Sequence, residues 1–450
     1  MLLKTLRSIN IKFDESKITV LAKAKTIYIL LDGIGDLPHP DLNYLTPLAA
    51  AYTPYLDKIA RRGISGKVTS VGDGIAPQSD IAVFNMLGYN FKNIEYFGRG
   101  VVECIGCGID FIEGDLALRG NFATIDTLSN RIIDRRAGRN ISREDSNAIC
   151  NLIKEKVKFR DVEYSIEPTI GHRVVLRFRR KDFKLGQNIT NTDPAYEKVN
   201  GIGIALDTSR SDLFVAKSKA NDEISKISSE IVNNFSEQVT KILDDSQINK
   251  DRESRGLLPV NCILMRDAGN KYPSVEDINE KYNLSFASLV DMPVEIGISK
   301  IVGMKAYEAG DTNEYELKAK TLLDILKDHD LIYVHIKGPD EFGHDGDARG
   351  KKRNIEMIDK YFFKNLRIGL ENLDNHDGIR FIICGDHSTP CIKKAHTDDP
   401  IPLLVSGEGL QTDGTSRYTE GNAERGTLGK IYGYQVIDKA LEIFKMSNNK

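Results

Sequence analysis

The sequence predicts an α/β protein with a doubly wound, mostly parallel sheet and an inserted α+β domain. Two observations predict the sheet: short runs rich in β-branched and aromatic residues, and helical patterns that lie between or after them. A third observation predicts the insertion, because the middle of the chain has strands in pairs and helices apart from them. The 450 residues are 40% apolar, which is enough for a full core.

Four apolar runs are predicted as the strands of the main sheet. Each run shows little alternation, as expected for a parallel strand that is covered on both faces. The runs are residues 26–31 (TIYILL), 331–336 (LIYVHI), 380–384 (RFIIC) and 401–405 (IPLLV). Helical patterns fall at residues 53–62, 316–328, 351–370 and 436–446. Strand and helix therefore alternate as they do in a doubly wound fold.

The middle of the chain has a different pattern. Strands are predicted at residues 115–126, 130–136, 163–166 and 172–179, and helices at residues 142–158 and 218–245. We predict an inserted α+β substrate and phosphotransfer domain over residues 95–268. The remaining residues, 1–94 and 269–450, are predicted to form one discontinuous metal-binding domain.

Composition excludes several function classes. The chain has 62 basic and 65 acidic residues, and this balance disfavours a nucleic-acid or anionic-membrane partner. No apolar run approaches the 18 or so residues of a membrane span, and residues 1–25 lack the apolar core of a secretory signal. Six cysteines do not make a disulfide scaffold in a chain of this length. We therefore expect a cytoplasmic enzyme.

Acidic residues and histidines follow three of the predicted strands. Because the carboxyl ends of parallel strands form the ligand-binding edge of such a sheet, we expect these side chains to converge. An aspartate before a glycine is often only a turn residue, but a cluster of carboxylates and imidazoles needs a cation such as Zn, Mn or Mg. The candidate ligands are Asp32, Asp340, His344, Asp386, His387 and His396.

Ser79 is the candidate nucleophile. It lies in the segment APQSD at the predicted start of a helix, where free amide groups and the helix dipole favour an anion. A metal bound to the serine oxygen can lower its pKa and make it nucleophilic. The alternative is that Ser79 only caps the helix, which serine does commonly.

Arginines form the third candidate group. The segment DRRAGR at residues 134–139 is dense in positive charge, and a guanidinium group matches the oxygens of phosphate and carboxylate. The alternative is a solvated surface. The candidate substrate-binding residues are Arg119, Arg135, Arg136, Arg139, Arg173 and Arg266.

These segments together resemble the archaeal type of cofactor-independent phosphoglycerate mutases, which belong to the alkaline phosphatase superfamily. The resemblance covers most of the chain in the right order. The matching segments are LLDGIGD (30–36), TPLAAAYTP (46–54), APQSDIA with LGYN after it (76–90), GRGVVE (98–103), GDLALRGNFATID (114–126), DRRAGR (134–139), GHRVVLRF (171–178), KGPDEFGHDGD (337–347) and GDHSTPC (385–391) with His396 beyond it.

The resemblance implies an alkaline-phosphatase-like sheet and two divalent metal ions, which are Mn, Mg, Co or Zn. It assigns the first ion to Asp32, Ser79, Asp386 and His387, and the second to Asp340, His344 and His396. It implies that 2-phosphoglycerate and 3-phosphoglycerate interconvert in glycolysis and gluconeogenesis through a phosphoserine on Ser79. Lys337 is a further catalytic candidate, for charge compensation or proton handling. The expected partner is a small-molecule substrate, phosphoglycerate. A homo-oligomer is possible, and the sequence does not decide the oligomeric state.

Two departures from the family pattern bear on the substrate contacts. Val83 stands where the family often has histidine, and Asp267 follows Arg266 where the family has glycine. Two other functions remain as alternatives: a metal-dependent phosphomonoesterase or phosphohydrolase of the same superfamily, and a non-catalytic binding protein. Release of phosphate from 3-phosphoglycerate would indicate the first, and failure to bind any divalent metal would indicate the second.

Overall fold

The computed structural model describes residues 24–94, 98–199, 202–205, 212–372 and 378–447. The chain divides into two compact units. The first unit is Met1–Gly88, Tyr282–Leu289 and Tyr307–Lys450, and the second is Tyr89–Lys281 and Val290–Ala306. Residue 95, the predicted start of the inserted domain, and most of the segment considered as a secretory signal lie outside the described residues.

The strands are numbered in chain order. They are β1 (Lys25–Leu31), β2 (Gly63–Thr69), β3 (Leu116–Asp126), β4 (Arg131–Asp134), β5 (Glu163–Pro168), β6 (Arg173–Arg179), β7 (Tyr196–Val199), β8 (Ile202–Ala205), β9 (Cys262–Gly269), β10 (Phe286–Leu289), β11 (Lys305–Tyr307), β12 (Leu331–Ile336), β13 (Ile379–Gly385), β14 (Ile401–Ser406) and β15 (Gly429–Tyr432).

The α-helices are numbered in the same way. They are α1 (Pro47–Ala50), α2 (Pro54–Ala60), α3 (Ser79–Met86), α4 (Arg99–Gly106), α5 (Arg143–Lys156), α6 (Ser225–Asp244), α7 (Gln247–Ser254), α8 (Ile278–Tyr282), α9 (Pro293–Ile301), α10 (Tyr315–Leu326), α11 (Pro339–Asp345), α12 (Ala348–Ile358), α13 (Lys364–Glu371), α14 (Glu420–Arg425) and α15 (Val436–Ser447). A π-helical turn, Asp359–Phe363, joins α12 to α13.

The main sheet has eight strands in the order β11-β10-β12-β1-β13-β14-β2-β15. Strand β1 lies at its centre and runs parallel to both β12 and β13. The register pairs Leu31, the last residue of β1, with Ile336 on one side and Gly385 on the other. The three strands therefore end at the same level, and this places the residues that follow them side by side.

Burial on both faces explains why these strands are apolar throughout. Every residue of β12 is buried, and so is every residue of β1 after the first. One face packs against α10, which buries Tyr315, Ala319, Leu322 and Leu326 at the three- and four-residue spacing of a helix face. The predicted α/β class with a mostly parallel sheet is thus confirmed.

One predicted strand direction is wrong. Residues 401–405 do form a strand, but β14 runs antiparallel to both β13 and β2. All six residues of β14 are buried. An uninterrupted apolar run reports burial on both faces and not strand direction, so the pattern of β14 cannot distinguish the two arrangements.

The second unit contains an antiparallel sheet in the order β4-β3-β6-β5, with β9 paired to the other side of β3. Its apolar residues pack against α5 and α6, for example Phe178 of the sheet against Phe235 of α6, with ring centroids 5.2 Å apart. Strand β9 is not predicted by the sequence pattern, because Arg266 and Asp267 interrupt its apolar run. The sheet and its separate helices form an α+β arrangement.

None of the helices in the described part of the chain combines the length and apolar character that a membrane-crossing helix requires.

Candidate metal centre

The centre lies at the carboxyl edge of the main sheet, in the first unit. Asp32, Lys337 and Asp386 directly follow the paired ends of β1, β12 and β13. Asp32 is 6% exposed and Asp386 is fully buried. Parallel strands that end in register therefore bring two carboxylates and an ammonium group into one buried cluster.

The pKa values of the two carboxylates, Asp32 and Asp386, are shifted in opposite directions. Lys337 Nζ lies 3.0 Å from Asp32 Oδ2. Burial acts to raise the pKa of Asp32, but the ammonium group of Lys337 brings it below its ordinary value. Burial and the charge of Asp32 raise the pKa of Asp386 well above its ordinary value. Ligand atoms of Asp32, His335 and Asp386 lie within 4.8 Å of one another, and a divalent cation among them would favour the ionised form of both carboxylates.

His335 belongs to this cluster, although the sequence analysis missed it. Its Nε2 lies 3.7 Å from Asp386 Oδ2 and 4.0 Å from Asp32 Oδ1, and its Nδ1 lies 2.7 Å from the Tyr333 hydroxyl. Burial lowers the pKa of His335 well below its ordinary value, so the ring is neutral. One signal in the sequence could have identified it: His335 is a histidine inside an apolar strand, two residues before Lys337 at the ligand-binding edge.

A second group of ligands forms around Asp340 in α11. His344 Nε2 lies 3.6 Å from Asp340 Oδ2, and His396 Nε2 lies 3.4 Å from Asp340 Oδ1. His344 Nδ1 contacts the Lys394 carbonyl at 3.2 Å, and His396 Nδ1 contacts the Pro77 carbonyl at 2.7 Å. A carbonyl oxygen only accepts, so both Nδ1 atoms carry a proton. Burial acts to lower the pKa of His396, but its contact with the Asp340 carboxylate raises it above its ordinary value.

Ser79 and His387 connect the two groups. Ser79 Oγ lies 3.2 Å from His387 Nε2. That nitrogen also lies 3.3 Å from Asp386 Oδ2 and 3.6 Å from Asp32 Oδ1. The His387 ring stacks on His396 with centroids 3.7 Å apart. Burial and the neighbouring His396 lower the pKa of His387 to about 3, so this ring is neutral too.

Ser79 does not cap its helix. It is the first residue of α3, and the cap position belongs to Gln78, whose side chain makes no capping hydrogen bond. The Ser79 side chain instead points to His387. The structure therefore brings together Asp32, Ser79, Lys337, Asp340, His344, Asp386, His387 and His396.

The donor set fits divalent cations. Asp32 Oδ1 and Asp386 Oδ2 are buried and accept no hydrogen bond from any described residue. The Nε2 atoms of His344 and His396 are 3.1 Å apart, and they lie 3.6 and 3.4 Å from the Asp340 carboxylate oxygens. Carboxylate oxygen and imidazole nitrogen are ligands that Mn, Zn and Mg-type ions accept.

The second unit holds a cluster of arginines on β3, β6 and β9. Arg266 Nη1 lies 3.0 Å from Asp193 Oδ2, and its guanidinium group lies 4.3 Å from the centroid of the Tyr196 ring. Arg135 Nη2 binds the same Asp193 carboxylate at 2.8 Å. Arg119 Nε lies 3.4 Å from Glu103 Oε1. Asp267 Oδ2 links the two pairs, because it lies 3.8 Å from Arg119 Nη1 and 3.6 Å from Arg266 Nε. Three of the six predicted arginines thus share one ion-pair network.

Arg173 is the least compensated member of this cluster. No hydrogen bond or ion pair joins its guanidinium group to another residue in the described part of the chain, and burial and the nearby Arg99 lower its pKa. Around it, the carboxylates of Glu103, Asp193 and Asp267 pair with four other arginines, which are Arg99, Arg119, Arg135 and Arg266.

The remaining predicted arginines lie in the turn after β4. Arg139 is exposed with a left-handed φ of 55°, and its charge helps to lower the pKa of His172, after burial and Arg173, to about 3. The Arg136 backbone amide donates to Asp134 at 2.7 Å.

Two residues depart from the family pattern, Val83 and Asp267. Val83 is buried in α3. Asp267 has a φ of 59°, and its Oδ2 lies 3.6 Å from Arg266 Nε.

Comparison with known proteins gives a consistent set of relatives. A family profile described as 2,3-bisphosphoglycerate-independent phosphoglycerate mutase matches residues 60–249. A protein of that name from Aeropyrum pernix is 38% identical, over 93% of this chain and 99% of its own length. Another, from Methanocaldococcus jannaschii, is 35% identical, over 94% of this chain and 98% of its own.

Two solved structures share the fold over nearly the whole chain. A Pyrococcus horikoshii protein is 29% identical, with a TM-score of 0.75, and covers 95% of this chain and 98% of its own. A cofactor-independent phosphoglycerate mutase from Thermoplasma acidophilum is 28% identical, with a TM-score of 0.60, and covers 93% of this chain and 99% of its own.

Proposed function

Because this chain belongs to the family of 2,3-bisphosphoglycerate-independent phosphoglycerate mutases, we propose that its metal centre and arginine cluster carry out the mutase reaction with the residues described above. The enzyme is an isomerase that interconverts 2-phosphoglycerate and 3-phosphoglycerate. What is proposed is which residues do this and in which roles.

Two divalent cations are proposed as cofactors. Asp32, Ser79, Asp386 and His387 would hold one cation, and Asp340, His344 and His396 would hold the other. The buried oxygens of Asp32 and Asp386 that accept no hydrogen bond from a described residue support the first site. When bound, the cations would polarise phosphoryl oxygens and lower the pKa of the Ser79 hydroxyl. Their identity among Mn, Mg, Co and Zn stays a prediction.

Ser79 is the proposed nucleophile. Its oxygen attacks phosphorus while the bond from phosphorus to the glycerate oxygen breaks, which gives phosphoserine and free glycerate. The other glycerate hydroxyl then attacks the phosphoserine and restores Ser79. Its position at the start of α3, with Oγ directed at the lone pair of His387 Nε2, supports this role.

Lys337 is proposed to balance charge at the same edge. Its Nζ lies 3.0 Å from Asp32 Oδ2 and 3.5 Å from His335 Nε2. Charge spreads over the phosphoryl oxygens during transfer, so a fixed ammonium group beside them lowers the barrier.

The arginine cluster is proposed to bind the anionic groups of the substrate. Arg173 supports an anionic ligand, because its partly buried guanidinium group forms no hydrogen bond or ion pair with a described residue. The proposed set is completed by Arg119, Arg135, Arg136, Arg139 and Arg266.

The predicted domain limits also remain a proposal. The first domain, residues 1–94 with 269–450, is proposed to bind the metal ions, and the second, residues 95–268, to bind the substrate. A cytoplasmic location is proposed as well.

The contact between Ser79 and His387 carries this proposal, and Ser79→Ala tests it. The variant is expected to lose mutase activity and to keep binding Mn²⁺, since most ligands remain. Ser406→Ala is a matched control, because that hydroxyl donates to the Ile59 carbonyl in the same unit at 2.9 Å and contacts none of the proposed ligands among the described residues. A Ser79→Ala enzyme with the wild-type mutase rate would refute the mechanism.

A coupled assay separates the mutase from a phosphohydrolase. With 3-phosphoglycerate and no 2,3-bisphosphoglycerate, enolase added to the reaction reports 2-phosphoglycerate, and a phosphate assay reports hydrolysis. The expected product is 2-phosphoglycerate, in amounts far above released phosphate, with activity restored by divalent metal after chelation. A dependence on added bisphosphoglycerate would contradict the assignment.

A further inference from the structure

Thr389 lies between ligands that are proposed for different cations. We propose that the Thr389 hydroxyl is a positioning group that couples the two ligand sets, by donating a hydrogen bond to Asp340 and accepting one from His387. The inference rests on the metal-binding roles proposed above for those two residues.

The direction of both hydrogen bonds follows from donor chemistry. Thr389 Oγ1 lies 2.6 Å from Asp340 Oδ1 and 3.0 Å from His387 Nδ1. An ionised carboxylate has no proton to donate, so the hydroxyl gives its only proton to Asp340. The hydroxyl must then accept from His387, which places the imidazole proton on Nδ1.

This arrangement orients both ligands at once. With the proton on Nδ1, the lone pair of His387 lies on Nε2, which points towards Ser79 and Asp386. On the other side, Asp340 Oδ1 accepts from Thr389 while Oδ2 faces His344. One hydroxyl therefore fixes the ring orientation in one ligand set and the carboxylate orientation in the other.

The surrounding fold holds Thr389 in place. Its side chain is fully buried, its amide donates to the Gly35 carbonyl at 3.0 Å, and its carbonyl accepts from Lys351 Nζ at 3.0 Å. A Cβ atom at Gly33 would lie 2.8 Å from Thr389 Oγ1, and one at Gly343 would lie 2.3 Å from the Thr389 carbonyl oxygen. Gly33 has a φ of 60°, so glycine suits both the backbone and the space.

The competing explanation is that the Thr389 side chain only fills space. Two substitutions distinguish this role from the proposed positioning role of the hydroxyl. Thr389→Val keeps the shape and loses the hydroxyl, whereas Thr389→Ser keeps the hydroxyl and loses a methyl group. Thr53→Val is the matched control, because Thr53 is also fully buried in the first unit and its hydroxyl donates to a carboxylate, Asp57, at 3.3 Å.

Binding of Mn²⁺ alone, followed by electron paramagnetic resonance of free ion, gives the first readout. Wild type is expected to bind two ions, and Thr389→Val to bind both more weakly, by roughly 10- to 100-fold, as for other residues that orient metal ligands. Thr389→Ser and Thr53→Val are expected to stay close to wild type. Weakening at one site only, or equal weakening in the Val and Ser variants, would overturn the coupling.

The ring nitrogens of His387 give a second readout that needs no metal. In the metal-free full chain with ¹⁵N-labelled histidine, assigned through a His387→Gln variant, long-range ¹H–¹⁵N spectra are expected to show the proton on Nδ1 in wild type and Thr389→Ser. That tautomer should no longer dominate in Thr389→Val. An unchanged tautomer in Thr389→Val would refute the role of Thr389 but not the proposed metal sites. A wild-type chain that binds no Mn²⁺ would refute both.

Discussion

Lys351 provides the most direct test of how the loops at the carboxyl edge are held. This lysine of α12 is fully buried, and its Nζ lies 2.8 Å from Asp36 Oδ2, 3.0 Å from the Thr389 carbonyl and 3.2 Å from the Gly35 carbonyl. It therefore joins the loop after β1 to the loop after β13, and those loops carry Asp32, Asp386 and His387.

Lys351→Met is expected to destabilise the first unit strongly. Methionine fits the space of the lysine stem but leaves the Asp36 carboxylate, 6% exposed, without its cation. Breaking a buried ion pair on one side costs about 3–5 kcal/mol, because a buried charge is left uncompensated. Lys351→Met combined with Asp36→Asn removes that charge, and it is expected to recover much of the loss.

Urea unfolding of the metal-free full chain measures these effects, with one transition fitted for each unit because chains of several domains need not unfold in one step. Lys352→Met is the matched control. That neighbouring lysine pairs with Glu356 at 2.6 Å near the surface, where an ion pair contributes about 0–1 kcal/mol. A loss below about 1 kcal/mol for Lys351→Met, or a double variant no more stable than Lys351→Met, would show that the buried ion pair does not hold these loops.

Three further predictions concern the site itself. Arg173→Gln should lower kcat/KM for 3-phosphoglycerate by roughly 10- to 100-fold, as expected for the loss of a hydrogen bond to a charged group. The control Arg180→Gln breaks an ion pair with Asp182 and should leave kcat/KM unchanged. Equal effects of the two substitutions would contradict the proposed role of Arg173. In the metal-free chain, the free energy of unfolding should fall as pH is lowered from 6.5 to about 3, because the unfolded chain then takes up a proton that folded His387 does not; an unchanged slope in His387→Asn would contradict this. His335→Asn should weaken Mn²⁺ binding, because it removes an imidazole that faces both Asp32 and Asp386, and calorimetric affinity equal to wild type would exclude that role.

The sequence predicts much of the main sheet and of the candidate site for one physical reason. Strands buried on both faces leave continuous apolar runs, and the residues just beyond them lie at the ligand-binding edge, so Asp32 and Asp386 could be selected without coordinates. The register of β1 with β12 and β13 then explains why these residues meet.

Features set by contacts between distant residues could not be predicted in this way. Strand β9 contains Arg266 and Asp267, whose charges are compensated by ion pairs from other elements, so its pattern does not resemble a buried strand. His335 lies within a predicted strand, and the apolar pattern of that strand does not show that its ring faces Asp32 and Asp386. The role inferred for Thr389 depends on distances to Asp340 and His387, which sequence spacing does not supply.

The proposed mechanism requires phosphoserine at Ser79, and acid quenching during turnover can trap it. The full chain, loaded with Mn²⁺ and supplied with 3-phosphoglycerate, is quenched within the first turnover and digested, and the peptide containing Ser79 is weighed by mass spectrometry. The mechanism predicts one phosphoryl group on Ser79 in wild type and none on the matching peptide of Ser79→Ala. A wild-type enzyme that forms 2-phosphoglycerate while Ser79 never carries phosphate would contradict it.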